Sequence, residues 1–354
     1  GPPRAAKTEA TPRPCADKET PLRANVAPAT VRLALAAFIG FISLSALGQS
    51  AAPKAKEPPR PRVKKVNVQI LSTMLAEDGI GEWGFAALVE VDGRRLLFDT
   101  GARPDTVLQN ARELKIDLTQ VTDLILSHNH DDHTGGLLTL RQAVKAKNPA
   151  ALSRAHVGKG IFYSRLQGTT EQNPMLVTRP AYEATGGVFI QHDGPTELYP
   201  GVYLTGPVPR RYPERNWSKT FNLRAPTGDT EDTIPEDQSL VIDTEQGLVL
   251  ISGCGHAGIV NTVEYARKIV RPAPLHAAIG GFHLLDAKDA TLDWTADKLR
   301  EFGTANFVGA HCTGMEAVFH LRQRMGLSRR SCVVGAVGAT FVLGEGIHPG
   351  RLAQ

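Results

Sequence analysis

The sequence predicts an α/β fold, a four-layer αβ/βα sandwich, on two observations. Two series of short apolar strands run through residues 66–354, each interleaved with amphipathic helical segments, and such layers bury their apolar faces best when stacked. The chain of 354 residues is 42% hydrophobic and 21% charged, which is enough to bury a sizeable core. Length alone allows one large domain or two small ones, and residues 66–354 are read as a single domain.

Taken from the amino end, residues 33–47, "LALAAFIGFISLSAL", form an uncharged apolar run preceded by Arg23 and Arg32 and followed by "GQSAA". That is the layout of a secretory signal peptide, and fifteen residues fall short of the about 20 that a membrane span requires. Residues 1–50 are therefore read as an N-terminal extension with a signal peptide, and the protein as exported, periplasmic or extracellular. A retained membrane anchor over 33–47 is the alternative. Residues 51–65, "AAPKAKEPPRPRVKK", lack apolar periodicity and read as a Pro/Lys-rich linker.

Charge divides along the same boundaries. Residues 1–50 carry six Lys/Arg against three Asp/Glu and residues 51–65 six against one, so the +4 of the whole chain leaves 66–354 at −4. The basic excess belongs to the leader and linker, and net charge gives no support to a nucleic-acid surface on the fold. The expected partner is a small-molecule substrate, with no nucleic acid and no membrane beyond the signal or anchor segment.

Within the body, "VNVQILST" (66–73), "FAALVEVDG" (85–93) and "RRLLFDTG" (94–101) are strands, the last two joined at a DG turn. "PDTVLQNARELKI" (104–116) has helical spacing and opens with proline and Asp105. "VTDLILS" (121–127) is a buried strand, and "TGGLLTLRQAVKAK" (134–147) a helix. The second series holds strands in "GVFIQHDG", "GVYLTGPV" and "QSLVIDTEQGLVLISG", then helix "GIVNTVEYARKIV", strand "LHAAIGG", helix "TLDWTADKLREFG" and strand "NFVGAHC". Residues 205–235 read as loop.

One stretch carries the chemistry. "LILSHNHDDHTGG" (124–136) sets three histidines and two aspartates into six consecutive positions after an apolar strand. His128 and His130 stand two apart, so both imidazoles project to one side of an extended strand end, and Asp132 and His133 follow at the turn. Burying so much polarity without partners costs several kcal/mol, a cost that a divalent cation removes. Further donors must come from other strand ends, because such ions take four or more. His256 in "SGCGHAG", His283 in "GGFHL" and His311 in "GAHCTG" each follow an apolar strand and sit among glycines. Cysteine usage fits a metal site better than a disulfide framework: Cys15 lies in the leader, the body keeps Cys254, Cys312 and Cys332, and two of these neighbour histidines. Neither Ser127 nor Cys312 has the elbow or base that an activated nucleophile needs. His156, His192 and His276 have no metal spacing and read as surface or packing residues.

The pattern H-x-H-x-D-H over 128–133 resembles the metallo-β-lactamase superfamily, and so does "LLFDTG", whose Asp99 is implied to hydrogen-bond around the metal site and orient its ligands. "GCGHAGIVNT", "GGFHL" and "AHCTG" together are similar to its branch named for dihydropterin and ribofuranosyl-aminobenzene phosphate synthase. The resemblance implies His128, His130 and His256 around one ion, Asp132, His133 and His311 around a second, and His283 lining the site. Two positions depart from the superfamily: Cys254 stands where a bridging aspartate is usual, and "PEDQ" replaces a histidine, with Glu236 or Asp237 as substitutes. The expected cofactor is zinc, one or two ions, with iron or manganese as alternatives.

The implied function is a metal-dependent hydrolase that acts through a metal-bound hydroxide on an ester, lactone or phosphoester, with Asp132 as the catalytic residue that orients the nucleophile. The alternative is a pterin-related synthase, against which the export-like leader argues. In "DGIGEWGF" (78–85), Trp83 is either a wall for an aromatic substrate or a core residue.

Overall fold

The structure, a computed structural model, describes residues 61–216 and 221–353. The segments read as signal peptide and N-terminal extension lie outside the described residues. Among the described residues no helix is long and apolar enough to cross a membrane. Of the stretch read as linker, residues 61–65 are described. There Val63 is buried and donates its N–H to the carbonyl of Asp243 at 2.9 Å, while the amides of Lys64 and Lys65 bond the Asp92 carboxylate.

Two sheets face each other. The first has eight strands in the order Gly346–His348, Thr340–Val342, Val66–Ser72, Ala86–Val91, Arg94–Phe98, Asp123–Leu126, Arg154–Gly158, Val188–His192. The second has seven: Cys332–Val334, Asn306–Gly309, Leu275–Gly280, Gly247–Ser252, Leu240–Thr244, Val202–Leu204, Thr196–Tyr199. Each sheet carries a run of parallel strands, from Arg94–Phe98 to Val188–His192 in one and from Gly247–Ser252 to Cys332–Val334 in the other.

Side-chain alternation then builds the four layers. Leu96 and Phe98 point into the core between the sheets, where they meet Val249, Ile251, Ile279 and Val308. The intervening Leu97 points the other way, toward helices Thr106–Glu113, Leu137–Lys145 and Met175–Glu183 through Val107, Leu140 and Tyr182. In the second sheet Leu248 and Leu250 pack outward on Val263, Leu299 and Leu321 of helices Ile259–Ile269, Asp289–Glu301 and Met315–Met325. Strands apolar on both faces are what a sheet covered by another sheet on one side and helices on the other requires. The αβ/βα sandwich read from the sequence is the observed architecture.

Residues 205–235 depart from the loop reading. Strands Asn222–Ala225 and Gly228–Glu231 form a hairpin that joins Ser164–Gln167 and Thr170–Glu171 in a small four-stranded sheet. These strands are mostly polar and solvent-facing, so no apolar alternation announces them, and their pairing partner lies far off in sequence.

Candidate metal centre

Every donor sits just past the carboxyl end of a strand, where parallel strands leave a crevice. Asp99 follows Arg94–Phe98 and the His128–His133 tract follows Asp123–Leu126. Cys254 and His256 follow Gly247–Ser252, His283 follows Leu275–Gly280, and His311 follows Asn306–Gly309. Asp99, His283 and His311 hold positive φ (57°, 47° and 46°), a cost the surrounding structure bears to turn these side chains inward.

The predicted donors converge. The rings of His128 and His130 lie 4.5 Å apart, His128 and His256 4.7 Å, His133 and His311 4.9 Å, and His256 and His283 4.9 Å. Asp132 reaches His311 Nε2 at 3.2 Å and His133 Nε2 at 3.7 Å. Cys254 Sγ lies 3.1 Å from His133 Nε2, and its sulfur shares one grouping with His128 and His256 and another with His133 and His311, with donor atoms all within 4.8 Å of one another in each.

Hydrogen bonds behind the rings decide which nitrogens face inward. Asp99 accepts the Ser127 amide at 2.7 Å, the Ser127 hydroxyl at 2.8 Å and His133 Nδ1 at 2.7 Å. With its own proton given to Asp99, the Ser127 oxygen can only accept from His128 Nδ1, 2.9 Å away. His256 Nδ1 donates to the carbonyl of Asn216 at 2.5 Å. His128 and His256 therefore carry their protons outward, and their bare Nε2 lone pairs meet at 3.2 Å. Two facing lone pairs repel unless a cation lies between their donors, and the Nδ1 atoms of His283 and His311 are also buried without a partner. The donor set fits a metal ion.

Electrostatics agrees for three of the imidazoles, and on His133 it favours a positive charge that a bound cation would replace. Burial, reinforced by neighbouring imidazoles, pushes His128 and His256 well below the ordinary histidine range and His130 down to about 4, so their nitrogens stay free to coordinate. Burial also opposes charge on His133, but the carboxylates of Asp132 and Asp99 raise it to about 9. Although burial works against it, His133 and His311 hold the Asp132 carboxyl well below the usual carboxylate range.

Two expected substitutes stand aside. Glu236 accepts Arg165 Nη2 at 2.6 Å and the Asn129 amide at 3.3 Å, so it braces the histidine tract from behind. Asp237 accepts the Ala257 amide at 3.1 Å, which fixes the turn after His256, and burial pushes its carboxyl up to about 7. Neither stands in any grouping of metal donors among the described residues. The position left by the missing histidine faces backbone amides and an arginine, which suit a carboxylate without a metal.

Sequence reasoning gave no role to Ser127 in the Asp99 chain, or to the carbonyl of Asn216. A serine directly before the first histidine was the one available signal for the former. Nor did it foresee Glu82, which accepts the Ser72 hydroxyl and the amides of Ala102 and Arg103 and so sets the segment carrying Trp83. Trp83 itself is 48% exposed and tilts over His311 at 4.7 Å, so it borders the metal donors and the core reading does not hold. His156 and His192 are buried in a chain of their own: His156 bonds Asp123 and His192, each at 3.0 Å. Gly253 makes the Asp99 chain possible, since a Cβ there would lie 2.1 Å from Ser127 Oγ and 2.6 Å from Asp99 Oδ2.

Imidazole, carboxylate and thiol donors at the carboxyl ends of strands in two facing sheets define an αβ/βα sandwich protein with a candidate metal centre. The profile of the metallo-β-lactamase superfamily matches residues 81–270. The chain is 32% identical over 269 residues to 7,8-dihydropterin-6-methyl-4-(β-D-ribofuranosyl)-aminobenzene-5'-phosphate synthase of Methanocaldococcus jannaschii, covering 71% of this chain and 89% of that protein. It thus belongs to the metallo-β-lactamase superfamily, in the branch of that synthase. Among solved structures it is similar to Tm1679, described as a metal-dependent hydrolase of the β-lactamase superfamily, with a TM-score of 0.62, 27% identity, and coverage of 78% of this chain and 98% of that one. The metallo-β-lactamase fold protein YhfI from Bacillus subtilis shares the fold at a TM-score of 0.50 and 11% identity, covering 79% of this chain and 100% of that one.

Proposed function

We propose that the protein is a metal-dependent synthase that joins a dihydropterin to a phosphorylated, ribosylated aminobenzene, or to close analogues of the two. The observation that carries this reading is a cavity of about 810 Å³ beside the metal donors. His283, Asn216 and Lys288 line it, and Tyr212 and Trp294 give it an aromatic wall with rings 5.8 Å apart. An aromatic wall suits a flat ring, and an ammonium at a helix start suits a phosphate. Trp83 over His311 offers a second aromatic face at the metal donors. The identity to the Methanocaldococcus synthase over most of both chains supports the same reading.

His128, His130 and His256 would hold one ion, and Asp132, His133 and His311 a second. Nitrogen, oxygen and sulfur donors together suit zinc, with iron or manganese as alternatives. When bound, the metal supplies Lewis acidity for charge that develops on oxygen. The chain supplies the rest. Asp132, held ionised beside His133 and His311, accepts a hydrogen bond that orients the attacking group, and the cavity would seat the aromatic substrate beside His283.

A second reading, hydrolysis of an ester, lactone or phosphoester, is favoured by the likeness to Tm1679. Metal-loaded protein incubated with ribofuranosyl-aminobenzene phosphate and a dihydropterin that bears a leaving group on its 6-methyl carbon is expected to give the joined product with release of that group, read by mass spectrometry and abolished by a chelator. Turnover of a nitrophenyl phosphodiester or a lactone panel, with no joined product, would replace the first reading by the second.

A further inference from the structure

We propose that Cys312, with Cys254 and His283, forms a sulfur-rich coordination position, so that the centre grips a borderline or soft divalent cation through two thiolates as well as imidazoles. The inference rests on the cluster being a metal centre and goes beyond the histidine and aspartate donors.

Three observations support it. Cys312 Sγ lies 3.3 Å from Cys254 Sγ, and the donor atoms of Cys254, His283 and Cys312 all fall within 4.8 Å of one another. Both sulfurs are buried and neither is in a disulfide, while His283 Nδ1 has no hydrogen-bond partner. The backbone is shaped to bring them together: the His283 amide bonds Cys312 Sγ at 3.3 Å, His283 holds its positive φ, and a Cβ on Gly281 would lie 3.0 Å from Cys312 Sγ and 1.9 Å from the carbonyl of Gly253. Cys332 shows what a packing cysteine looks like in the same protein. It is equally buried, its sulfur bonds the carbonyl of Val318 at 3.6 Å, and it joins no cluster of metal donors among the described residues.

The Cys254 sulfur comes within 4.8 Å of donor atoms of His128 with His256, of His133 with His311, and of His283 with Cys312. Thiolates select zinc, cobalt(II) or iron(II) over magnesium and calcium, because soft donors bind hard cations poorly. Each thiol would release its proton to solvent as its sulfur takes the ion.

The test uses the full chain, purified under a phosphine reductant, stripped of metal and titrated anaerobically with Co²⁺. Sulfur-to-cobalt charge transfer in the near ultraviolet reports thiolate ligation, and the visible d–d bands report occupancy by any donors. The wild type is expected to show both, Cys312→Ser to keep the visible bands with roughly half the charge-transfer intensity, and the Cys254→Ser/Cys312→Ser double variant to keep only the visible bands. Cys332→Ser should match the wild type. Circular dichroism confirms that each variant is folded. Visible bands without charge transfer in the wild type, or an undiminished band in Cys312→Ser, would overturn the sulfur position and leave the histidine centre standing. Absence of all cobalt bands would overturn both.

Discussion

The carboxylate of Asp99 lies 2.7 Å from Nδ1 of His133 and, through the Ser127 hydroxyl, also fixes the tautomer of His128. One buried side chain thus sets the ring orientation of two donors on which it has no direct claim as a ligand. Asp99→Asn keeps the shape but replaces an acceptor by a group that also donates. Metal affinity is expected to fall ~10–100-fold, the usual cost of losing a partner behind a metal-bound histidine. Competition with a chromophoric chelator measures it, and unchanged affinity in a folded variant would remove Asp99 from this role.

Gly253 makes a sharper steric case. A Cβ at this position meets the Ser127 hydroxyl and the Asp99 carboxylate far inside contact distance, and both are held by their own hydrogen bonds. Gly253→Ala is expected to cost ~1–3 kcal/mol of stability, in line with overpacking elsewhere, and to weaken metal binding as well. Denaturant unfolding and metal titration check the two effects. Loss of neither would mean that the strand end can shift without disturbing the chain.

These relationships show where the sequence was legible. The His128–His133 tract, His256, His283 and His311 could be read because each follows an apolar strand, and strand ends of an αβ/βα sandwich gather at one place. The partners that orient them could not. Ser127, Asn216 and Glu82 act through contacts with residues far away in sequence, and no periodicity encodes such contacts. Glu236 illustrates the opposite failure. Its chemistry suited a ligand, yet Arg165, seventy-one positions earlier, claims the carboxylate together with the Asn129 amide. The polar hairpin between Asn222 and Glu231 was missed because solvent-facing strands pair through backbone groups that every residue has.

Acid sensitivity should arise partly outside the metal centre. Burial, together with His156, pushes His192 down to about 4, whereas in the unfolded chain a histidine takes up its proton near 6.5. Below that value the unfolded state binds the extra proton and the folded state does not, so this contribution is complete at neutral pH and is lost as pH falls from about 6.5 to about 4. Its size is on the order of 1–2 kcal/mol once solvent screening is allowed for. His192→Gln should therefore lose less stability than the wild type between neutral pH and pH ~4.5 in urea unfolding, and parallel curves would assign the acid sensitivity to other groups.

Trp83 gives the functional prediction. Its ring is half exposed, so it contributes less to the core than a buried aromatic would, and Glu82 beside it anchors the segment independently of the indole. Trp83→Ala should leave folding and metal content close to wild type while removing a face on which a flat ring can stack over His311. Stacking of a base on an aromatic side chain is worth ~1–3 kcal/mol, which predicts a fall in kcat/KM of about 5-fold to 150-fold for a pterin substrate. Trp83→Phe should recover most of it, because the aromatic face returns without the indole nitrogen. A small non-aromatic ester or lactone offers no ring to stack, so its turnover should be unaffected by either substitution. Equal losses on aromatic and non-aromatic substrates would show that Trp83 acts by holding His311 in place, and metal content measured on the same samples would then fall with activity.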